Sequence, residues 1–392
     1  MKRGILLIVA FCALMPHAAS AAVMSAPFEV SAWIPYWRAA TGTQETLAHL
    51  DAFKEINPFG YTVQEDGRLW DAAAISVEPW TSLRAEAKKK NVRYVPTVMW
   101  SNAEAMHNVL SNPTLRARHI AMIVDEVKVN DFDGIDIDYE GKYEKTRPYF
   151  SLFLKELYAA MGNKWVQCTI ESRTPLADRY HETTPPEGAG QYSNDFVEIN
   201  KYCDRVRFMT YDQQTIDQKR EAEVTEPYGP VSDTVWVEKA IREAMKTIPK
   251  NKIVLGVPTY GYEWNVTTYA NNQHTYDLLW TFNPQYGWDL ASEYNITPGR
   301  NAGGELGFTY FPKDSKFSLG RPDTTWPFNL VASAAASLTT AQNTNMTYRM
   351  VTWQDSQAIA DKVALAKKLG IRGIAIFKID GGQDPKMWDV LK

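Results

Sequence analysis

Residues 132–140 carry acidic side chains at alternate positions, and this stretch of the chain is the one best suited to chemistry. The acids at every second position are Asp136, Asp138 and Glu140, with apolar side chains between them. Because successive side chains of a β-strand point to opposite faces, the pattern predicts a strand with three carboxyl groups on one face. Like charges this close raise at least one pKa, so one group keeps a proton near neutral pH. We therefore expect a general acid here.

A calcium-binding loop is the competing interpretation of these acids. Such loops need a glycine at a sharp turn and oxygen ligands arranged around the loop. A spacing of two residues is that of a strand. We therefore expect the acids to act as acids, with no metal ion and no cofactor.

The composition is that of an ordinary globular protein, with 45% hydrophobic residues, 22% charged residues and a formal net charge of −4. These values favour neither a nucleic-acid-binding surface nor a disordered chain. The 13 tryptophans and 20 tyrosines can stack on the apolar faces of sugar rings as well as fill a core. We therefore expect no nucleic-acid partner, and we expect most of these aromatic residues to lie in the core and some of the tryptophans to bind a ligand. We also expect a monomer.

The amino terminus is typical of an export signal. Two basic residues precede an apolar run at residues 4–15, and small residues at 19–21 offer a cleavage pattern. We expect residues 1–21 to be removed and the protein to be secreted or periplasmic. No later segment approaches the roughly 20 apolar residues of a membrane-spanning helix, so we expect no stable membrane insertion.

Two cysteines, Cys168 and Cys203, lie beyond this signal. In an oxidising compartment they could form a disulfide. Both lie in or beside apolar segments, where free buried thiols are equally common. The sequence leaves their pairing open.

Short apolar runs alternate with amphipathic stretches along the rest of the chain. The predicted strands are residues 28–37, 56–63, 92–100, 134–140, 166–174, 205–212, 253–260 and 373–379. The predicted helices are residues 82–90, 115–128, 147–161, 233–248 and 356–369. This alternation predicts an α/β protein with a closed (β/α)₈ TIM barrel. A doubly wound open sheet is the alternative, but no glycine-rich phosphate loop follows the first strand.

Residues 264–352 interrupt the alternation between the seventh strand and the helix after it. This interval is rich in Pro, Gly, Asn and aromatic residues and includes strand-like runs at 306–311 and 348–353. We interpret it as a small α+β insertion in a catalytic barrel formed by residues 22–263 and 353–392. An insertion at the carboxyl-terminal rim of a barrel would wall one side of a substrate groove.

Three motifs in these strands resemble those of glycoside hydrolase family 18, the chitinase-like enzymes. The first is Asp133-Gly134-Ile135-Asp136-Ile137-Asp138-Tyr139-Glu140, which fits the Asp-x-x-Asp-x-Asp-x-Glu signature of the fourth strand. The others are Met209-Thr210-Tyr211-Asp212 and Pro258-Thr259-Tyr260-Gly261, which are similar to the Met-x-Tyr-Asp and Pro-x-Tyr-Gly motifs of the sixth and seventh strands. The segment 353–373 looks most like the bacterial cell-wall and spore-associated branch.

The resemblance implies retaining hydrolysis in which the 2-acetamido oxygen of the substrate is the nucleophile. Glu140 would protonate the leaving oxygen and later activate water. Asp138 would orient the acetamido nitrogen and stabilise the oxazolinium intermediate, and Asp136 would share a proton with Asp138. Tyr211 would hold the acetamido oxygen through its hydroxyl group.

The resemblance also implies a set of substrate-binding residues. They are Asp212, Met209 and Tyr260 from the motifs and Phe377 as the floor under the cleaved sugar. Trp33, Trp37 and Trp100, at the ends of early predicted strands, are candidates for further stacking platforms, and as single aromatic residues they could equally belong to the core. Two positions depart from the family pattern. Phe377 stands where the family usually has Trp, and Tyr262 stands where a basic residue often follows the Tyr-Gly pair, so the substrate is in question.

The function implied is hydrolysis of β-1,4 bonds after N-acetylglucosamine, in chitin-like oligosaccharides or in peptidoglycan. A non-catalytic sugar-binding lectin of the same fold is one alternative, although such lectins typically lack the terminal acid that Glu140 provides. An endoglycosidase that acts on glycoprotein glycans is the other alternative.

Overall fold

The computed structural model describes residues 27–181, 184–214, 217–224, 226–271, 273–315, 328 and 330–392. The predicted export signal at residues 1–21 lies outside the described residues. Within the described part of the chain, no helix is long and apolar enough to cross a membrane.

The strands of the described residues are numbered in chain order. They are β1 (Glu29–Ile34), β2 (Glu55–Val63), β3 (Leu69–Asp71), β4 (Arg93–Tyr94), β5 (Thr97–Trp100), β6 (Gly134–Tyr139), β7 (Trp165–Glu171), β8 (Arg205–Met209), β9 (Ile253–Pro258), β10 (Gly261–Tyr269), β11 (His274–Phe282), β12 (Gly299–Arg300), β13 (Leu306–Tyr310), β14 (Asn345–Trp353) and β15 (Gly373–Phe377).

The α-helices are numbered in the same way. They are α1 (Ala39–Ala48), α2 (Trp80–Lys89), α3 (Ala103–Ser111), α4 (Pro113–Val129), α5 (Arg147–Met161), α6 (Leu176–Arg179), α7 (Phe196–Tyr202), α8 (Gln218–Glu223), α9 (Thr234–Met245), α10 (Pro284–Glu293), α11 (Leu330–Gln342), α12 (Ser356–Leu369) and α13 (Met387–Val390).

Eight parallel strands form a closed barrel in the order β1, β2, β5, β6, β7, β8, β9 and β15. The pairing of β15 with both β9 and β1 closes the circle. The predicted (β/α)₈ barrel is confirmed. The predicted strand 92–100 is divided into β4 and β5 at Val95 and Pro96, where the proline has no N–H to continue the ladder.

Helices cover the outside of the barrel with apolar faces. In α5, the buried residues recur every three or four positions, as expected for a helix with one face against a core. Local signals set the helix ends. Asn112 accepts hydrogen bonds from the first N–H groups of α4, and Gly370 ends α12 in the left-handed conformation with φ of 67°.

A second, antiparallel sheet lies between β9 and α12 in the order β11, β10, β14, β13 and β12. It starts at Gly261, three residues before the predicted insertion, because β10 follows β9 after a short turn. Its two faces bury different clusters. Tyr348 and Met350 pack on the side that holds Val331 of α11, whereas Trp353 packs with Leu290 of α10. The first cluster is continuous with the mouth of the barrel, because it also includes Tyr211 and Tyr260.

Cys168 of β7 and Cys203, which follows α7, form a disulfide with a Cα–Cα distance of 5.9 Å. Both residues are fully buried in the barrel core. The disulfide joins a barrel strand to the segment that leads into the next strand.

Candidate active site

The acidic residues of β6 lie on the inner side of the barrel. Asp136 and Asp138 are buried there, whereas Tyr139, on the other face of the strand, packs against Phe153 of α5 in the outer core. Glu140 follows the end of the strand and is half-buried at the mouth. Its backbone N–H donates to Trp100 O of the neighbouring strand at 2.8 Å. The structure therefore brings the three carboxyl groups together at the carboxyl-terminal end of the barrel.

Asp136 is held by donors from four other strands. Trp33 Nε1 and Thr97 Oγ1 donate to its Oδ2 at 3.0 and 2.8 Å. Thr169 Oγ1 donates to its Oδ1 at 2.9 Å, and Arg207 Nη1 lies 3.0 Å from the same oxygen. Burial raises the pKa of Asp136 to about 6. The donors and the Arg207 charge oppose that effect and favour the ionised form.

Asp138 stands one layer above, and its Oδ1 is buried without a hydrogen-bond partner among the described residues. Burial raises the pKa of Asp138 well above its ordinary value, and the charges of Glu140 and Asp136 raise it further. Among the described residues no hydrogen bond joins Asp138 to Asp136 directly, and the sharing of a proton between them stays a prediction. Asp136 acts on Asp138 through its charge, which favours a proton on Asp138.

Glu140 has a raised pKa because it is buried and because the Glu171 carboxylate lies nearby. Glu171 ends β7 and accepts from Gly141 N at 2.8 Å and from Asn194 Nδ2 at 2.6 Å. Although burial opposes it, the Lys142 charge and these donors hold the pKa of Glu171 below its ordinary value. Glu171 was not identified from the sequence. The available signal is an acid at the end of the predicted strand 166–174.

Tyr211 and Phe377 form an aromatic wall at the barrel mouth. Their rings are stacked, with centroids 5.1 Å apart and an interplanar angle of 12°. A Cβ at Gly256 would lie 2.8 Å from Tyr211 Cε1, so the missing side chain of Gly256 makes room for the ring. Burial and the nearby carboxylates hold the pKa of Tyr211 far above its ordinary value. Its hydroxyl therefore stays protonated and can donate a hydrogen bond.

Asp212 receives two tyrosine hydroxyls. Tyr260 donates to its Oδ1 at 2.6 Å, and Tyr262 donates to the same oxygen. Asp212 itself is exposed and has a positive φ of 53°, a conformation that Asp tolerates better than most residues. Tyr262, which stands where the family often has a basic residue, therefore anchors Asp212 by a hydrogen bond and not by charge.

Two of the predicted stacking platforms are wrong. Trp33 is fully buried, with 0% exposure, and is held in the barrel interior by its bond to Asp136. Trp100 is 2% exposed and packs outside the barrel against His119 and Tyr139. Neither indole presents a free face to a sugar, because the register of its strand turns it to the interior or to the helices.

Two other predicted binding residues remain accessible. Trp37 is 49% exposed and lines a cavity of about 190 Å³ together with Tyr260, Lys378 and Asp380. Met209 is half-buried and packs against the aromatic cluster at the mouth.

Arg207, in the interior of the barrel, was also missed from the sequence. It is 1% exposed and forms ion pairs with Glu55 and Asp136. Burial lowers the pKa of Arg207 to about 9. The signal in the sequence is a basic residue inside a predicted buried strand, two positions before Met209. Arg207 supplies the positive charge that a buried carboxylate such as Asp136 requires.

Residues 32–382 match the family model of Glycosyl hydrolases family 18. The chain belongs to this family. The predicted resemblance is therefore confirmed, and the match covers both the barrel strands and the second sheet. In this chain the acidic strand β6 is the fourth strand of the barrel, which is the position predicted for the signature motif.

Relatives of this family-18 chain include a glycosylase, a cortical fragment-lytic enzyme and a probable chitinase. The "Uncharacterized glycosylase YvbX" of Bacillus subtilis (strain 168) is 27% identical over 187 residues, which cover 46% of this chain and 50% of that protein. The "Cortical fragment-lytic enzyme" of the same organism is 23% identical over 341 residues, or 86% of this chain and 66% of that protein. The chain thus spans about half to two thirds of the length of these curated relatives.

A solved structure supports the fold of this family-18 chain. The chitinase from Chromobacterium violaceum ATCC 12472 superposes with a TM-score of 0.68 at 17% identity, covering 93% of this chain and 98% of that one. At this identity the likeness concerns the fold alone.

Proposed function

We propose that this chain is a retaining glycoside hydrolase that cleaves β-1,4 bonds after N-acetylglucosamine with the 2-acetamido group of the substrate as nucleophile. The observation that carries the proposal is Asp138, a buried carboxyl group with a free Oδ1 between the ionised Asp136 below and the acid Glu140 above. A free buried acceptor is costly unless a ligand satisfies it. The N–H of a 2-acetamido group would do so.

The chemistry is divided between two acids. The raised pKa of Glu140 keeps its proton available for the leaving oxygen near neutral pH. When the glycosidic bond breaks, the acetamido oxygen attacks the anomeric carbon and an oxazolinium ion forms. Glu140, now ionised, then takes a proton from the water that opens this ring. Asp138 accepts the acetamido N–H and stabilises the positive charge of the intermediate.

Tyr211 and Phe377 position the sugar in this proposal. The protonated Tyr211 hydroxyl donates to the acetamido oxygen and directs it toward the anomeric carbon. The Phe377 ring, half-buried beside Tyr211, offers an apolar face beneath the sugar. Asp212, fixed by Tyr260 and Tyr262, binds a sugar hydroxyl group in the same subsite.

The substrate we infer is an N-acetylglucosamine-containing polysaccharide, either peptidoglycan or a chitin-like chain. The printed names of the relatives, a cortical fragment-lytic enzyme and a chitinase, support both polymers. The export signal predicted at residues 1–21 would place the enzyme outside the cytoplasm, where such polymers are found.

Product analysis tests the proposal. The protein and its Glu140→Gln variant are incubated separately with chitooligosaccharides, peptidoglycan and a high-mannose glycoprotein, and new reducing ends are identified by mass spectrometry. We expect N-acetylglucosamine ends from one of the first two polymers, only with the parent protein. A thiazoline analogue of the intermediate should inhibit the reaction. Turnover of sugars without a 2-acetamido group would contradict substrate assistance, and binding without turnover would make the protein a lectin.

A further inference from the structure

A second cavity adjoins Glu140 on the side of β7 and has a volume of about 230 Å³. We call it the basic pocket and define it by Lys142, Glu171, Arg173, Arg179, Tyr192 and Asn194. The pocket is connected to the general acid through the backbone. Gly141 is the residue after Glu140, and its N–H donates to Glu171 Oε1 at 2.8 Å. None of Arg173, Arg179, Tyr192 and Asn194 has a role in the chemistry proposed above.

Two arginines of the basic pocket form no salt bridge among the described residues, although the more distant charges of Glu243 and Asp195 act on Arg173. Arg173 lies over the rings of Phe196 and Tyr192, at 3.6 and 4.3 Å from their centroids. Within the described part of the chain, its side chain donates one hydrogen bond, to Asn194 O at 3.3 Å. Arg179 lies over the ring of Tyr180 at 5.3 Å. Both guanidinium groups therefore keep donors for a ligand, and the aromatic rings hold Arg173 in one orientation.

The acids of the basic pocket do not neutralise these arginines. Glu171 is paired with Lys142, whose Nζ lies 3.4 Å from Oε2. Glu144 also lines the cavity but forms no ion pair with Arg173 or Arg179 within the described residues. The charge left over in the pocket is positive.

Asn194 supplies a further unsatisfied group. Its Nδ2 donates to Glu171 Oε2 at 2.6 Å, which fixes the orientation of the amide. Its Oδ1 is buried and has no hydrogen-bond partner among the described residues, and the residue is 6% exposed. A buried acceptor of this kind is satisfied when a ligand brings an N–H or O–H group.

The position of the basic pocket relates it to the leaving sugar. Phe377 ends β15, which lies halfway round the eight-stranded barrel from β6. The pocket is built from the segments that follow β6 and β7, and Phe377 does not line it. Because Glu140 must contact the leaving oxygen, the surface beyond Glu140 and away from Phe377 faces the leaving group.

We infer that the basic pocket binds a carboxylate carried by the leaving sugar, with Arg173 and Arg179 as its specificity-determining residues. This rests on the proposed function and selects among its substrates. The muramic acid of peptidoglycan carries a lactyl carboxyl group, or a peptide attached to it, whereas every sugar of chitin is uncharged. Arg173 and Arg179 receive the carboxylate, and Asn194 Oδ1 accepts an N–H or O–H group beside it.

Binding measurements on catalytically inactive protein test the inference separately from hydrolysis. Isothermal titration calorimetry compares Glu140→Gln alone with Glu140→Gln carrying Arg173→Gln or Arg179→Gln. The probes are peptide-free peptidoglycan glycan strands with free lactyl carboxylates, the same strands with those groups converted to methyl amides, and chitooligosaccharides of equal length. Arg242→Gln, an exposed arginine on α9 paired with Glu238, is the control.

We expect each pocket variant to lower the affinity ratio of carboxylate strands over chitooligosaccharides by about 10- to 100-fold, the usual effect of losing a charged hydrogen bond. The control should leave this ratio unchanged. Converting the lactyl groups to amides should weaken binding to Glu140→Gln by a similar factor, and this measurement needs no pocket variant to fold. Equal affinities for the acid and amide strands, or equal losses for charged and uncharged probes, would overturn the inference.

Hydrolysis is measured in parallel with the parent protein. If the parent cleaves no substrate but the affinity ratios behave as expected, the proposed function is wrong and carboxylate recognition stands. If the parent cleaves chitooligosaccharides and the ratios do not change, carboxylate recognition is wrong and the proposed function stands.

Discussion

Trp33 Nε1 donates a hydrogen bond of 3.0 Å to Asp136 Oδ2 across the interior of the barrel. The indole comes from β1 and the carboxylate from β6, and both side chains are fully buried. The bond favours the ionised form of Asp136. It therefore contributes to the negative charge of Asp136 that raises the pKa of Asp138.

Replacing Trp33 by Phe should raise the pKa of Asp136, because an N–H donor to its charged form is lost. If catalysis requires ionised Asp136, activity falls as the pH drops through that pKa. The acid limb of the kcat/KM profile should therefore move to higher pH, with about 10-fold less activity on the acidic side. The pH dependence of kcat/KM measures this.

Trp100→Phe is the matched control for Trp33→Phe. Trp100 is equally buried, but its Nε1 has no hydrogen-bond partner among the described residues. The control loses similar volume without losing a hydrogen bond. A shift of the acid limb in both variants, or in neither, would show that the Trp33 bond does not set the charge of Asp136.

Glu140→Gln and Asp138→Asn should both lower turnover severely, but an activated substrate should restore bond cleavage in only one of the two variants. Glutamine cannot transfer a proton, so turnover of unactivated substrate should fall by roughly 10²- to 10⁴-fold. An aryl glycoside with a good leaving group needs little protonation and should partly restore bond cleavage in Glu140→Gln. It should not do so in Asp138→Asn, because an amide cannot supply negative charge to the oxazolinium. Burst kinetics with the aryl substrate measure both steps, and equal rescue would reopen the choice of nucleophile.

Glu171→Gln should shift the basic limb of the pH profile. Burial raises the pKa of Glu140, and the Glu171 charge raises it further, whereas Lys142 lowers it. A general acid loses activity as the pH rises through its pKa. Glu171→Gln should therefore move the basic limb to lower pH, and Lys142→Met should move it to higher pH. Shifts of the same sign in the two variants would contradict this electrostatic account.

Phe377→Ala should lower kcat/KM if the Phe377 ring lies beneath the sugar. The expected loss of transition-state stabilisation is about 1–3 kcal/mol. Phe377 contacts the rings of Trp33, Phe59, Tyr211 and Tyr260, so some thermal stability should be lost as well. Phe377→Leu keeps apolar volume but has no flat face, and it separates the two effects. We expect Phe377→Leu to lose activity with a smaller change in Tm and Phe377→Trp to retain activity. Normal turnover by folded Phe377→Leu would make Phe377 a packing residue only.

Asp138→Asn should stabilise the protein at neutral pH. The pKa of Asp138 is raised in the folded state above its ordinary 3.8, so the folded protein binds this proton more tightly than the unfolded chain. Its contribution to stability is complete below pH 3.8 and is lost as the pH rises toward the folded pKa, at about 1.4 kcal/mol per pH unit. Asparagine avoids this loss. Chemical unfolding at pH 4 and pH 8 should show a difference between variant and parent that grows with pH, and a constant difference would contradict it.

The sequence alone determined the order of the barrel elements and the acidic face of β6. Periodicity is local, because the alternation of side chains along a strand follows from backbone geometry. The predicted strands 205–212 and 253–260 therefore correspond to β8 and β9, and Asp136, Asp138 and Glu140 share one face. The observed strands end two or three residues earlier at the site, where the chain turns away to form the barrel mouth.

Only the tertiary structure decided the environments of three tryptophans whose sequence contexts are similar. Trp33 bonds Asp136 inside the barrel, Trp37 is exposed at the mouth and Trp100 packs under helices. Trp33 lies within β1, Trp37 lies just after that strand and Trp100 is the last residue of β5. The surroundings of each side chain depend on strand register and on the helices packed outside. No local pattern encodes either property.

The same physical reason applies to the groups that balance charge in the site. Arg207 contacts Asp136 because β6 and β8 lie on either side of β7 in the closed barrel. The two residues are far apart in sequence. Glu171 raises the pKa of Glu140 from the neighbouring strand in the same way. The sequence therefore determined which acids could do chemistry, and the tertiary structure decided their charge states, because electrostatic energy depends on distance and burial.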